Sequence, residues 1–102
     1  MSATASPTVT VVVPCVDEAG YVDPMLDQLL PQLRDLPHWS VVLVDDSSTD
    51  ATPAILADAA RRDPRVTVLS GRHGSPGAAR SAGVAQALRA PTGAPDWLVT
   101  ID

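Results

Sequence analysis

The sequence predicts an α/β fold, a parallel sheet with helical crossovers, and three observations predict it. Four short apolar runs, at residues 9–13, 41–44, 66–69 and 97–101, are rich in the β-branched residues that favour strands. The intervals between them carry apolar residues three and four apart, or a run of alanines, as helices do. The resulting order, βαβαβαβ, is that of parallel strands joined across the sheet by helices. Such crossovers are right-handed in nearly every case. All the strands therefore end on one edge of the sheet.

Taken in order, Val9 to Val13 reads as a buried strand that stops at Pro14. VDEAG is a loop. From Tyr21 onward Val22, Met25, Leu26, Leu29, Leu30, Leu33 and Leu36 form one apolar helical stripe. Pro24 suits the first turn of that helix. Pro31 conflicts with it, since an interior proline costs about 3 kcal/mol, so a bend or an early break is expected there. LPHWS, 36–40, reads as a turn and Val41 to Val44 as the second strand. Thr52 and Pro53 are an N-cap and first-turn pair for a helix running to about Arg62. DPR, 63–65, ends it. Val66 to Leu69 is the third strand, SGRHGSPG, 70–77, a glycine-rich loop, and Gly77 to Ala90 the third helix. After the loop APTGAPD, Trp97 to Ile101 is the fourth strand and Asp102 the last residue.

A chain of 102 residues holds one domain, able to bury roughly 60–65% of its unfolded surface. It is 45% hydrophobic and 19% charged, a globular composition. Net charge is −5, with seven arginines and no lysine, which excludes the basic face of a general nucleic-acid binder. Cys15 is the single cysteine, so an internal disulfide and a cysteine zinc site are excluded, and it reads as a small buried hydrophobe. No run reaches the about 18–20 apolar residues of a membrane span. Residues 1–7 lack the basic and apolar regions of a secretory signal and read as a disordered lead-in, with the cytoplasm as the expected compartment.

The chemistry gathers after the strands. Asp17 and Glu18 follow the first, Asp45 and Asp46 the second, and Asp102 the fourth. Ligands of open parallel sheets sit beyond these carboxyl ends, where the strand order reverses, so up to five carboxylates are expected around one crevice. At about 5 Å and an effective dielectric of about 20, each charged pair repels by about 3 kcal/mol. Some would then take up protons unless a divalent cation or a ligand's hydrogen-bond donors relieved them. The plainer reading is that Asp after a strand closes a turn or caps a helix. Asp50 fits it, as do Ser47, Ser48 and Thr49. Alternation along an extended chain separates Asp45 from Asp46: one faces the crevice and the other supports the turn. An ionised carboxylate only accepts hydrogen bonds. In the crevice it suits uracil, thymine or guanine, whose rings present an N–H, over adenine or cytosine.

These residues resemble the family 2 glycosyltransferases of the GT-A fold, a Rossmann-like architecture. The matching stretches are VTVVVPCVDEAG, VVLVDDSSTDAT, GSPGAARSAG and DWLVTID, in the family's order across nearly the whole chain. The resemblance implies that residues 8–102 are the nucleotide-binding half of a GT-A domain, ending inside the Asp-X-Asp motif. It implies transfer of a sugar from a nucleotide-diphosphate donor, UDP-sugar favoured over GDP- or dTDP-sugar, to an unknown acceptor. Inversion and Mg²⁺ or Mn²⁺ are implied with it. By position, Pro14, Val16 and Glu18 line the nucleoside pocket, Asp46 holds the base N–H, Asp45 supports that loop and Arg80 approaches the nucleotide. Asp102 is the metal and ribose ligand, and the catalytic base is expected further along. Val16 stands where many members have an aromatic, and Asp17 and Ser81 where many have Asn.

Gly71, Gly74 and Gly77 form neither a dinucleotide nor a P-loop signature. They read as a loop leading into a helix N-terminus, with phosphate contact by that helix end as the alternative. Arg72 and His73 read as surface residues, and His38, Trp39 and Trp97 as residues of the far edge. Two rival functions remain at this stage, a sugar-nucleotide nucleotidyltransferase and a non-catalytic nucleotide-binding module.

Overall fold

In a computed structural model of the chain, residues 7–90 and 93–101 are described. Residues 1–6 of the lead-in expected over 1–7, and Asp102, lie outside them. Seven elements alternate: β1 (Thr8–Cys15), α1 (Ala19–Leu33), β2 (His38–Asp46), α2 (Thr52–Arg62), β3 (Val66–Gly71), α3 (Pro76–Leu88) and β4 (Trp97–Thr100). The strands form one parallel sheet in the order β3-β2-β1-β4. The chain steps outward from β1 to β3 and then crosses back to the other side of β1. That reversal puts α1 and α2 on one face of the sheet and α3 on the other. The Rossmann-like α/β class read from the sequence is the observed one.

Covering both faces makes the central strands apolar throughout. Val11 to Val13 and Val41 to Val44 are all buried. Odd-numbered residues of β1 and β2 (Val11, Val13, Val41, Leu43) pack with Val22, Met25, Leu26 and Leu33 of α1 and with Leu56 and Ala59 of α2. Even-numbered Val12, Val42 and Val44 pack with Ala79 of α3. Fully burying a leucine such as Leu43 or Leu56 contributes about 1.5–3 kcal/mol. No helix of the described residues is long and apolar enough to cross a membrane.

Several boundaries differ from the sequence expectation, each through a tertiary contact. Residues 38–40 are strand, not turn, because β2 pairs with β1 from Thr8↔His38 onward and the Thr10 and Ser40 hydroxyls meet at 2.9 Å. Pro14 lies within β1 rather than ending it. The Ile101 N–H bonds the Val12 carbonyl, so even-numbered β1 residues face β4. Pro14 follows on that side past the last β1–β4 pair, Val12↔Thr100, where no ladder donor is required. Helix α1 begins at Ala19 instead of Tyr21, which moves Pro24 out of the first turn. It also runs through Pro31 to Leu33 without the expected break there, and Arg34 N–H still reaches Leu30 O at 3.0 Å. Buried Leu26 and Leu33 flank that proline and hold the helix to the sheet. Thr52 is the first residue of α2 and not its N-cap.

Candidate functional site

The carboxyl edge of the sheet is laced together by side chains accepting backbone N–H groups. Asp17 Oδ1 accepts the Thr49 N–H at 2.7 Å and its hydroxyl at 3.3 Å, while the Asp17 N–H donates to Ser48 Oγ at 3.0 Å. The Glu18 N–H donates to Thr52 Oγ1 at 2.9 Å. Asp50 serves two helices: Oδ1 accepts from Thr52 N–H at 2.8 Å and Oδ2 from Ala19 N–H at 3.3 Å. Ser47 Oγ donates to the Gly71 carbonyl at 3.1 Å, joining this layer to the loop after β3. Asp17 and Ser47 adopt left-handed backbone angles, φ 49° and 54°, uncommon outside glycine. These bonds hold both turns in place.

Most of the DDSSTD stretch therefore builds the edge. Asp45, on the α1/α2 face, is 4% exposed and its Oδ1 accepts the Ser48 N–H at 3.1 Å. Asp46, one residue on, falls on the α3 face with Val42 and Val44. There a cavity of about 200 Å³ is lined by Pro14, Cys15, Val16 and Glu18 after β1, by Asp46, and by Pro76, Ala79 and Arg80 of α3. The expected ring of five carboxylates contracts accordingly. Of the four described, Glu18 and Asp46 reach the cavity, because Asp17 and Asp45 are committed to N–H groups of residues 48 and 49. Asp102 lies outside the described residues.

Asp46 Oδ1 accepts the His73 N–H at 2.7 Å and the Gly74 N–H at 3.2 Å. The His73 N–H, above all, holds the Asp46 pKa below its ordinary 3.8; desolvation, the next largest effect, opposes it, and the Gly74 N–H adds a smaller lowering. Backbone N–H groups thus relieve Asp46, where the sequence reading looked to a cation or a ligand's donors. Both bonds fall on Oδ1, so Oδ2 keeps its capacity for a ligand's N–H. Beneath it, burial pushes the Cys15 thiol up to about 12, with Glu18 and Asp45 adding to the rise, and this leaves it an inert hydrophobe as expected.

A larger hollow of about 270 Å³ opens at the opposite edge, among Thr8, Thr10, His38, Trp39, Ser40 and Arg65. Its Arg65 guanidinium lies 4.0 Å from the centre of the Trp39 ring. No carboxylate lines it, and the strands begin there instead of ending. The smaller cavity is the candidate site because it lies at the carboxyl ends of the strands and its wall carries Glu18, Asp46 and Arg80. Among the described residues no group of three or more His, Cys, Asp or Glu is placed to hold a metal ion. The metal expectation rests on Asp102. Pro76 and Ala79 were not singled out by sequence, although Ser75-Pro76 is a helix-start pattern. Ser75 Oγ does accept the Ala78 N–H at 3.0 Å. The His73 and Gly74 N–H groups leave no mark in sequence, since any residue but proline carries one.

The model of the family described as Glycosyl transferase family 2 matches residues 10–102. The succinoglycan biosynthesis protein ExoA of Rhizobium meliloti is 35% identical over 92 residues, covering 90% of this chain and 26% of that protein. The chain thus spans about a quarter of the length of that curated relative. Among solved structures, S. aureus TarS superposes with a TM-score of 0.75 at 28% identity, over 93% of this chain and 16% of that one. TarS 1–349 in complex with UDP-GlcNAc gives 0.59 at 29%, over 78% and 23%. Mannosyltransferase PcManGT from Pyrobaculum calidifontis, in complex with GDP-Man and Mn²⁺, gives 0.52 at 30%, over 84% and 25%.

Proposed function

The chain belongs to glycosyl transferase family 2, and from that premise we propose that its carboxyl-edge cavity takes the nucleoside end of a nucleotide-diphosphate sugar, with UDP-sugar as the preferred donor. The observation that carries this reading is Asp46: an ionised acceptor on the cavity wall, between apolar Pro14 and Val16 on one side and α3 on the other. Uracil fits such a wall, offering a flat apolar face and one imide N–H. A volume of about 200 Å³ falls below the ~300–1,000 Å³ of whole small-molecule sites, as suits one part of a donor site. The UDP-GlcNAc complex of TarS supports the choice of base. Guanine also presents a ring N–H, so a GDP-sugar is the second reading, supported by the GDP-Man complex of PcManGT.

In this proposal Pro14 and Val16 pack on the base, Asp46 accepts its N–H and Glu18 lies along the nucleoside. Arg80, one turn into α3, approaches the diphosphate. Asp45 acts at one remove, by holding the turn that carries Asp46. Asp102 would hold Mg²⁺ or Mn²⁺, and the cation would supply neutralisation of the charge on the nucleotide leaving group. Transfer by inversion is a single displacement of the nucleotide by an acceptor hydroxyl. The described residues are assigned no step of it beyond holding the donor. Calorimetry with UDP and CDP in the presence of Mn²⁺ tests this. Asp46→Ala is expected to weaken UDP by about tenfold, the loss of one hydrogen bond to a charged group, and to leave CDP unchanged. Equal UDP affinity in the two proteins would overturn the assignment.

A further inference from the structure

A carboxylate at the end of a strand can rotate, and a rotating acceptor selects poorly between ligands. Asp46 is the last residue of β2, and what restrains it comes from another part of the chain. Two consecutive N–H groups, of His73 and Gly74, converge on its Oδ1 at 2.7 and 3.2 Å. Consecutive amides of an extended chain point in opposite directions, so bringing both onto one oxygen requires a local reversal. That reversal lies at His73, whose Cα joins the two peptide planes; Gly74, at φ +94°, a conformation that side chains rarely adopt, then turns the chain from this grip toward Ser75 and α3. A Cβ built on Gly74 would meet nothing within 4 Å. Space does not require glycine there; the backbone angle does. The loop is anchored at its start by the Ser47 hydroxyl on the Gly71 carbonyl and at its end by the Ser75 cap of α3.

We propose that Gly74 is a specificity-positioning residue: its left-handed backbone lets the chain leave the 73–74 amides on Asp46 Oδ1 and still reach the Ser75 cap of α3, holding the carboxylate so that Oδ2 is left to read the base. This rests on the reading of Asp46 as the base acceptor. Discrimination between a base with a ring N–H and one without then depends on a residue that touches no ligand. The lowered pKa of Asp46 agrees with this contact, since the His73 N–H is its largest cause.

The test compares Gly74→Ala with Gly74→Asn, since Asn tolerates left-handed angles, and with Gly77→Ala as a control. Gly77 sits three residues on, within α3, where an added Cβ would meet only Ser75 Oγ at 3.9 Å. UDP and CDP affinities are measured by calorimetry with Mn²⁺. The Asp46 carboxyl is titrated by ¹³C NMR in the same proteins, which reads the loop even where a nucleotide binds weakly. Gly74→Ala is expected to cut the UDP-to-CDP preference about fivefold, through UDP alone, and to move the Asp46 titration toward its ordinary range. Gly74→Asn and Gly77→Ala are expected to keep both near wild type. A folded Gly74→Ala protein with unchanged preference and titration overturns the positioning role, as does an equal loss for both nucleotides. If the preference disappears in Asp46→Ala yet survives in Gly74→Ala, the positioning role alone falls. If wild type shows no preference, the base reading falls and takes this role with it.

Discussion

The two faces of the sheet present similar valines and are covered in opposite ways. On one face α1 and α2 lay Val22, Leu26, Leu33 and Leu56 across Val11, Val13, Val41 and Leu43. On the other, α3 meets Val12, Val42 and Val44 with Ala79 as its buried residue in the cluster. A Cβ on Gly83 of α3 would clash with Val12 Cγ1 and lie 2.8 Å from Val44 Cγ2. The first face is thick and carries most of the apolar burial. The second is thin, and its helix backbone rides close to the strands. The candidate cavity opens at the carboxyl end of the thin face, where the start of α3 brings Pro76, Ala79 and Arg80 over the strand ends. Bulk stabilises the fold on one side, while close approach shapes the site on the other.

If that division holds, the largest stability loss comes from the thick face. Leu43→Ala, at a fully buried central position, is expected to cost about 2–5 kcal/mol in urea unfolding. The folded fraction should bind UDP as wild type does. A loss of affinity in step with stability would erase the distinction between the faces.

Gly83→Ala probes the thin face and is expected to cost less, about 1–3 kcal/mol, as overpacking does. It must push α3 outward, so UDP affinity should fall as well. A variant with wild-type unfolding and wild-type calorimetry would mean that the helix shifts freely and that close approach does not shape the cavity.

The smallest effect is a pH dependence at the carboxyl end of the thick face. There Asp50 accepts from the starts of both α1 and α2, whereas α3 is capped by its own neighbour Ser75. The Thr52 hydroxyl first, then the Thr52 and Ala19 N–H groups, hold the Asp50 pKa below its ordinary 3.8. A carboxylate with a depressed folded pKa contributes stability above its unfolded value, and loses it as pH falls through the folded one. The gap in Tm between wild type and Asp50→Ala should therefore be widest above about pH 4 and narrow below it. A gap that stays constant as the pH is lowered would mean that ionisation of Asp50 does not hold the two helices.

Much of the site was legible because alternation is a local rule. Adjacent Asp45 and Asp46 had to point to opposite sides once they extended a strand, and they do, one buried under the 47–48 turn and one on the cavity. Asp50 as a turn and cap residue was legible because its bond to the Thr52 N–H is local, two residues on. The crowd of five acids was overestimated because sequence places residues on an edge without showing which N–H groups claim them. Asp17 is the plainest example: its acceptor is taken by Thr49, 32 residues away. The strand at 38–40 was misjudged for a related reason, since pairing with β1 outweighs local preference, and packing on the sheet carries α1 past Pro31 without the early break.

By itself the sequence determined the class of fold, the edge on which the chemistry gathers and the parity that parts the two aspartates. All three follow from periodicity, which a chain carries in its own order. Tertiary structure alone decided which acids stay available and how closely α3 approaches. It also decided that the backbone of residues 73 and 74 grips Asp46. Those outcomes depend on partners distant in the chain, and a backbone N–H bears no residue-specific trace in the sequence.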